Sequence, residues 1–129
     1  LLGELAMGLT FRWTLRWALD RACADRAPEP LVSAAWRHFD QGTQRAILRL
    51  YRSAPESALA VAGAGLADVR VPTLVVWGAL DPFIAPSFAD AYARALPDAR
   101  VEHVEGAGHW PWLEQPGLVE RIATFLAQG

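Results

Sequence analysis

The sequence predicts an α/β fold in which an all-helical region precedes two parallel strands and their helices, and three observations predict it. Before residue 70 apolar positions recur at helical spacing and are interrupted by proline and glycine breaks. From Val71 the pattern changes to short β-branched runs, of which Thr73-Leu74-Val75-Val76-Trp77 is continuous. Strand, helix, strand and helix then alternate to the end, an order that calls for a parallel crossover of right hand. Residues 1–70 are thus expected to form a helical region and residues 71–129 an α/β region.

Leu2 to Ala24 carries two periods at once. Odd positions from Leu5 to Leu19 are apolar, as in a strand, yet Leu2, Leu5, Leu9, Trp13 and Trp17 also share a helical face. A strand of that length would be unusual, and Ala, Leu and Arg favour helix, so a helix broken near Gly8-Leu9-Thr10 is expected. Ala27-Pro28-Glu29-Pro30 interrupts the chain and places a proline at a first helical position, with the helix running to Asp40-Gln41-Gly42. Thr43 is the expected N-cap of a helix from Gln44 to Arg52, whose Ile47, Leu48 and Tyr51 share one face. Ser53-Ala54-Pro55-Glu56 starts another helix, which Gly63-Ala64-Gly65 ends.

Thr73 to Trp77 reads as a strand buried on both faces of a parallel sheet, because it has no polar alternation. Ala79 to Ala85 is a loop, and Pro86 opens a helix that Pro97 closes after Leu96. Arg100 to Val104 alternates as a second strand. Glu105 to Gly108 is a turn, and Pro116 opens a last helix reaching about Ala127.

Composition narrows the function. A chain of 129 residues with 53% hydrophobic and 20% charged residues can bury one globular core. A net charge of −2 without a basic stripe argues against nucleic acid or an anionic membrane surface as partner. Cys23 is the single cysteine, which excludes an internal disulfide and a cysteine-based metal site. Arg12, Arg16 and Asp20 interrupt the long apolar stretch, so no membrane span is expected. A cytoplasmic location is the expectation. The apolar pattern already running at Leu1-Leu2 is expected to continue from a longer chain.

Two loops carry chemistry, Gly78-Ala79-Leu80-Asp81-Pro82 and Gly106-Ala107-Gly108-His109-Trp110, each after the carboxyl end of a predicted parallel strand. Ligands and catalytic groups gather at that end of open α/β sheets. Taken singly, Asp81-Pro82 is ordinary turn chemistry and a histidine before tryptophan is ordinarily packed or solvated. Glu114 is open between tying down the turn after His109 and lying in solvent. His103, within the second strand, is read as structural and His38 as a surface residue.

The run PTLVVWGALDPF followed by VEGAGHWPWLEQP resembles the last two strands of α/β-hydrolases. The resemblance implies the C-terminal portion of that family's sheet, preceded by a helical cap over residues 1–70. It further implies that Asp81 is the triad acid and His109 the base, in the chain order nucleophile, acid, histidine. His109 would take the proton of an attacking hydroxyl or water and Asp81 would hold the imidazole tautomer. Gly106 and Gly108 would let the turn aim the histidine over the sheet. Trp110, Trp112 and Phe83 flank these loops and are candidate substrate-binding residues, with core packing as the alternative. Tyr51 resembles the position from which epoxide hydrolases donate a phenol. Those enzymes use a tyrosine pair, and a second cap tyrosine is missing here, so packing is the favoured role.

The nucleophile is missing from the sequence. Gly-x-Ser-x-Gly does not occur, nor its aspartate-centred version, and Ser33, Ser53, Ser57 and Ser87 lack a preceding strand and elbow glycines. The resemblance implies a hydrolase of a small apolar ester or lactone that uses neither metal nor organic cofactor, with the isolated 129 residues inactive. The enzymatic alternative is an epoxide hydrolase or dehalogenase with an aspartate nucleophile. From other classes, a non-catalytic ligand-binding member and an inactive truncated fragment remain. The first strand would also present an unpaired edge, a route to self-association.

Overall fold

A computed structural model of the chain describes residues 7–128. The element order is α1 (Arg12–Ala22), α2 (Glu29–His38), α3 (Gln41–Ser53), α4 (Glu56–Ala64), a 3₁₀ turn (Gly65–Asp68), β1 (Thr73–Gly78), α5 (Ser87–Ala95), β2 (Ala99–Val104), α6 (Pro111–Glu114) and α7 (Leu118–Ala127). Two compact units result, one from residues 7–19 and 27–64, the other from 20–26 and 65–128. The end of α1 and the loop behind it therefore belong with the strands. No helix among the described residues is long and apolar enough to cross a membrane.

The first unit is helical. The part of the first expected helix before Met7 lies outside the described residues, and the chain leaves helical structure at Leu9–Phe11 before α1 begins. Arg12 and Arg16, one turn apart on α1, both engage the Glu29 carboxylate, the Arg16 contact at 2.5 Å. The Ser33 hydroxyl donates to the same carboxylate at 3.0 Å. These hydrogen bonds, led by Ser33, hold the Glu29 carboxyl below its ordinary pKa. Pro30 sits in the first turn of α2, where a missing N–H leaves no bond unmade. Among the described residues of this unit, Ala27 and Val32 are buried.

One cap differs from expectation. Asp40, not Thr43, is the N-cap of α3: its backbone is extended and its Oδ1 accepts from the Thr43 amide at 2.8 Å. The helix starts at Gln41, which moves Thr43 inside the first turn, where its hydroxyl donates to the His38 carbonyl at 2.6 Å. A carboxylate is also the stronger acceptor for an orphan helix amide. α4 ends at Ala64, within the expected Gly63-Ala64-Gly65, and the chain continues directly into the 3₁₀ turn.

The second unit holds the sheet. β1 and β2 pair in parallel from Thr73 opposite Ala99 to Gly78 opposite Val104. Val104, Ala107 and Leu118 form its buried centre, with Val76 and Ile122 packed against them. The expected two-sided burial of β1 is not met, since Thr73 to Trp77 are all half-buried. β1 has β2 as its one strand partner among the described residues, and a sheet of two strands cannot cover both faces and both edges. The last helix begins at Leu118 because Gly117 adopts a left-handed φ of 77° as its N-cap. The short α6 was not expected; Pro111 starts it with a pre-set φ.

Leu118 is fully buried in the sheet unit, whereas its neighbour Val119 is 57% exposed. Leu118→Ala should therefore destabilise that unit by about 2–5 kcal/mol in urea unfolding. Val119→Ala should change it by less than about 0.5 kcal/mol. Equal effects of the two would contradict the packing.

Candidate active site

The parallel register sets the site. Because Gly78 lies opposite Val104, both strands end at the same level and their loops leave side by side. The Ala79 amide donates to the Val104 carbonyl at 3.0 Å and the Leu80 amide to the Ala107 carbonyl at 2.9 Å, which laces one loop to the other. This closeness explains Gly78. A Cβ there would lie 1.8 Å from the Gly108 carbonyl oxygen and 2.6 Å from that of Ala107. Only glycine lets the two backbones approach so closely. Gly106, with φ of 70°, turns the second loop.

Asp81 is held on three sides. Its side chain is 4% exposed. Oδ1 accepts from the backbone amides of Phe83 at 2.9 Å and Ile84 at 3.1 Å, bridging Pro82, which has no N–H to offer. Oδ2 lies 2.8 Å from Nδ1 of His109. The Trp77 indole donates to the Ile84 carbonyl at 3.2 Å and holds the far end of the same loop. Burial raises the carboxyl pKa, but the hydrogen bonds from His109, Phe83 and Ile84 and the charge of His109 outweigh it, so the pKa lies below its ordinary 3.8. The group is thus an anion at neutral pH and can only accept. Nδ1 of His109 must then carry the shared proton, leaving Nε2 as the nitrogen able to take up another.

His109 is fixed by its ring and its backbone. The Phe83 ring meets it edge to face at 5.4 Å between centroids, and Trp110 lies 5.9 Å away. Its amide donates to the Ala22 carbonyl at 2.6 Å. The Glu114 carboxylate accepts from the Ala24 amide at 2.5 Å and from the Gly108 amide at 2.7 Å. Of the two readings of Glu114, the structure thus shows the tied-down turn. The role of residues 22–24 had no signal in the local sequence pattern.

A shallow cavity of about 220 Å³ joins Asp81 and His109 to Val76, Trp77, Ile84, Trp110, Pro111 and Trp112. The structure therefore brings Trp110 and Trp112 to this cavity and Phe83 against the histidine. Tyr51 belongs to the helical unit, on α3, and is 78% exposed. Ser33, Ser53, Ser57 and Ser87 all lie on helices. Nε2 of His103 lies 3.1 Å from Oδ1 of Asp90, so that pair links β2 to α5. A larger cavity of about 440 Å³ adjoins Val71, Pro72 and Arg100 at the opposite end of the strands, away from these groups. Among the described residues no three His, Cys, Asp or Glu side chains gather as a metal site.

The lowered Asp81 pKa has a consequence for stability. A carboxyl whose folded pKa is depressed contributes stability above its unfolded pKa and loses it as pH falls through the folded value. In urea unfolding across pH, the stability advantage of the native chain over Asp81→Asn should be full above about pH 5 and shrink below 3.8. A difference that stays constant across that range would contradict the ionised, hydrogen-bonded carboxylate.

A family model described as the alpha/beta hydrolase family matches residues 3–122. Monoacylglycerol lipase ABHD6 of Mus musculus is 35% identical over 60 residues, which are 46% of this chain and 18% of that protein. Lipase 1 of Psychrobacter immobilis is 39% identical over 49 residues, 38% of this chain and 16% of that protein. Polyketide synthase ThaQ of Burkholderia thailandensis is 44% identical over 66 residues, 50% of this chain and 3% of that protein. The matched stretches thus span less than a fifth of the length of these relatives. A crystal structure assigned as a lipase (lip1) from Acinetobacter baumannii AYE shares the fold with a TM-score of 0.64 at 22% identity, covering 88% of this chain and 40% of that one. The family match runs through nearly the whole chain, including both strands and both loops: this chain belongs to the alpha/beta hydrolase family.

Proposed function

We propose that Asp81 and His109 are the acid and base of a nucleophile–Asp–His triad that hydrolyses a small apolar ester or lactone. The observation that carries the reading is the 2.8 Å contact between Asp81 Oδ2 and His109 Nδ1 at the ends of two adjacent parallel strands. In this proposal the nucleophile comes from outside these 129 residues, and residues 1–70 serve as a cap. Nε2 of His109 removes the proton from the nucleophile's hydroxyl as its oxygen bonds to the substrate carbonyl carbon. The buried Asp81 carboxylate stabilises the imidazolium that forms. The imidazolium returns its proton to the leaving alkoxide as the ester C–O bond breaks. Water, deprotonated by the same nitrogen, then bonds to the acyl carbon. The imidazolium returns that proton to the nucleophile's oxygen as its bond to the acyl carbon breaks and the acid leaves.

The apolar lining of the cavity, with Trp77, Ile84, Trp110, Pro111 and Trp112, supports an apolar substrate. Two relatives bear the name lipase, which favours an ester over an epoxide or a haloalkane. The test is hydrolysis of p-nitrophenyl butyrate by the gene product that carries this chain. His109→Ala and Asp81→Asn should each lower kcat by about 10³–10⁴ with KM little changed. Retention of native turnover in either variant would refute the assignment, and turnover of an epoxide in place of the ester would move it to an aspartate nucleophile.

A further inference from the structure

Glu114 sits outside the hydrogen-bonded pair, yet its carboxylate joins two segments far apart in sequence. Oε1 accepts from the Ala24 amide and Oε2 from the Gly108 amide, immediately before His109. The His109 amide in turn donates to the Ala22 carbonyl. Three hydrogen bonds thus staple the histidine loop to residues 22–24, and one side chain supplies two of the acceptors. The fit is close on both sides, since a Cβ on Gly108 would lie 2.5 Å from the Ala22 oxygen and 2.8 Å from the Ala24 nitrogen. The carboxylate's charge is also felt in that segment: with burial acting first, it helps raise the pKa of the buried Cys23 thiol.

We propose that Glu114 is a positioning residue for His109, holding the loop so that Nδ1 stays within reach of Asp81. This rests on the reading of Asp81 and His109 as acid and base. A carboxylate suits the task because two amide protons converge on it and both its oxygens accept. A glutamine keeps one acceptor and turns an N–H toward the other amide, and alanine leaves both amides without a partner. The loop would then be free to carry the imidazole away from Oδ2 without unfolding the sheet.

The test is proton NMR on the full chain, following exchange of the His109 Nδ1 proton and the Gly108 amide with solvent. Near-UV circular dichroism monitors tertiary packing of each variant. Glu114→Ala should accelerate exchange of both protons at least about tenfold, with Glu114→Gln between it and the native chain. A native Nδ1 proton that exchanges unchanged in a packed Glu114→Ala overturns the proposal. If the alanine variant loses its near-UV signal, Glu114→Gln decides alone, and native exchange rates in it overturn the proposal equally. Asp81→Asn separates the two claims. A Nδ1 proton indifferent to Asp81→Asn defeats the acid–base reading itself, whereas one sensitive to Asp81 and indifferent to Glu114 defeats only the positioning role.

Discussion

The Asp81–His109 contact rests on the alignment of two strand ends. Parallel pairing from Thr73–Ala99 to Gly78–Val104 brings both carboxyl ends to one level, and the next few residues of each chain are then neighbours. Asp81 lies three residues past Gly78 and His109 five past Val104, so a slip in register would separate them. A slip of one would also turn the inward side chains of a strand to the other face. Gly78 is what permits the approach, because its missing Cβ is where the Gly108 carbonyl passes.

Once the loops are adjacent, electrostatics fixes the protons. Burying the Asp81 carboxyl favours its neutral form, but two backbone amides and the imidazole favour the anion more, and the anion prevails. A buried anion with three donors has no spare freedom. It dictates the tautomer of His109 and leaves Nε2 as the nitrogen without that proton. The aromatic rings of Phe83 and Trp110 limit the ring's other motions by packing rather than by charge. The pair is held by hydrogen bonds, while the cavity beside it is lined mainly by apolar groups.

Much of this was legible in the sequence, and the exceptions share a cause. β1, the loop glycines, Asp81 and His109 were readable because strand periodicity, turn chemistry and a family resemblance all act over a few adjacent residues. In the sequence Asp40 reads as the end of the preceding helix and Thr43 as the cap; both residue types cap well, and the structure depends on which first leaves helical φ and ψ. The half-burial of β1 was not legible, since an apolar run records what a strand could bury, not which neighbours cover it. The role of Glu114 is not legible in the sequence because its partners, Gly108 and Ala24, lie six and ninety residues away. Such a contact exists only after the fold brings the end of α1 to the histidine loop.

The most direct test of the account is the protonation state of the His109 ring, read from the ¹⁵N shifts of its two nitrogens at a pH where the imidazole is neutral. Nδ1 should carry the proton, and Nε2 should have the shift of a bare acceptor nitrogen. A ring protonated at Nε2, or an averaged pair of shifts showing both tautomers in exchange, would contradict the ionised Asp81 as its partner and the acid–base pair built on it.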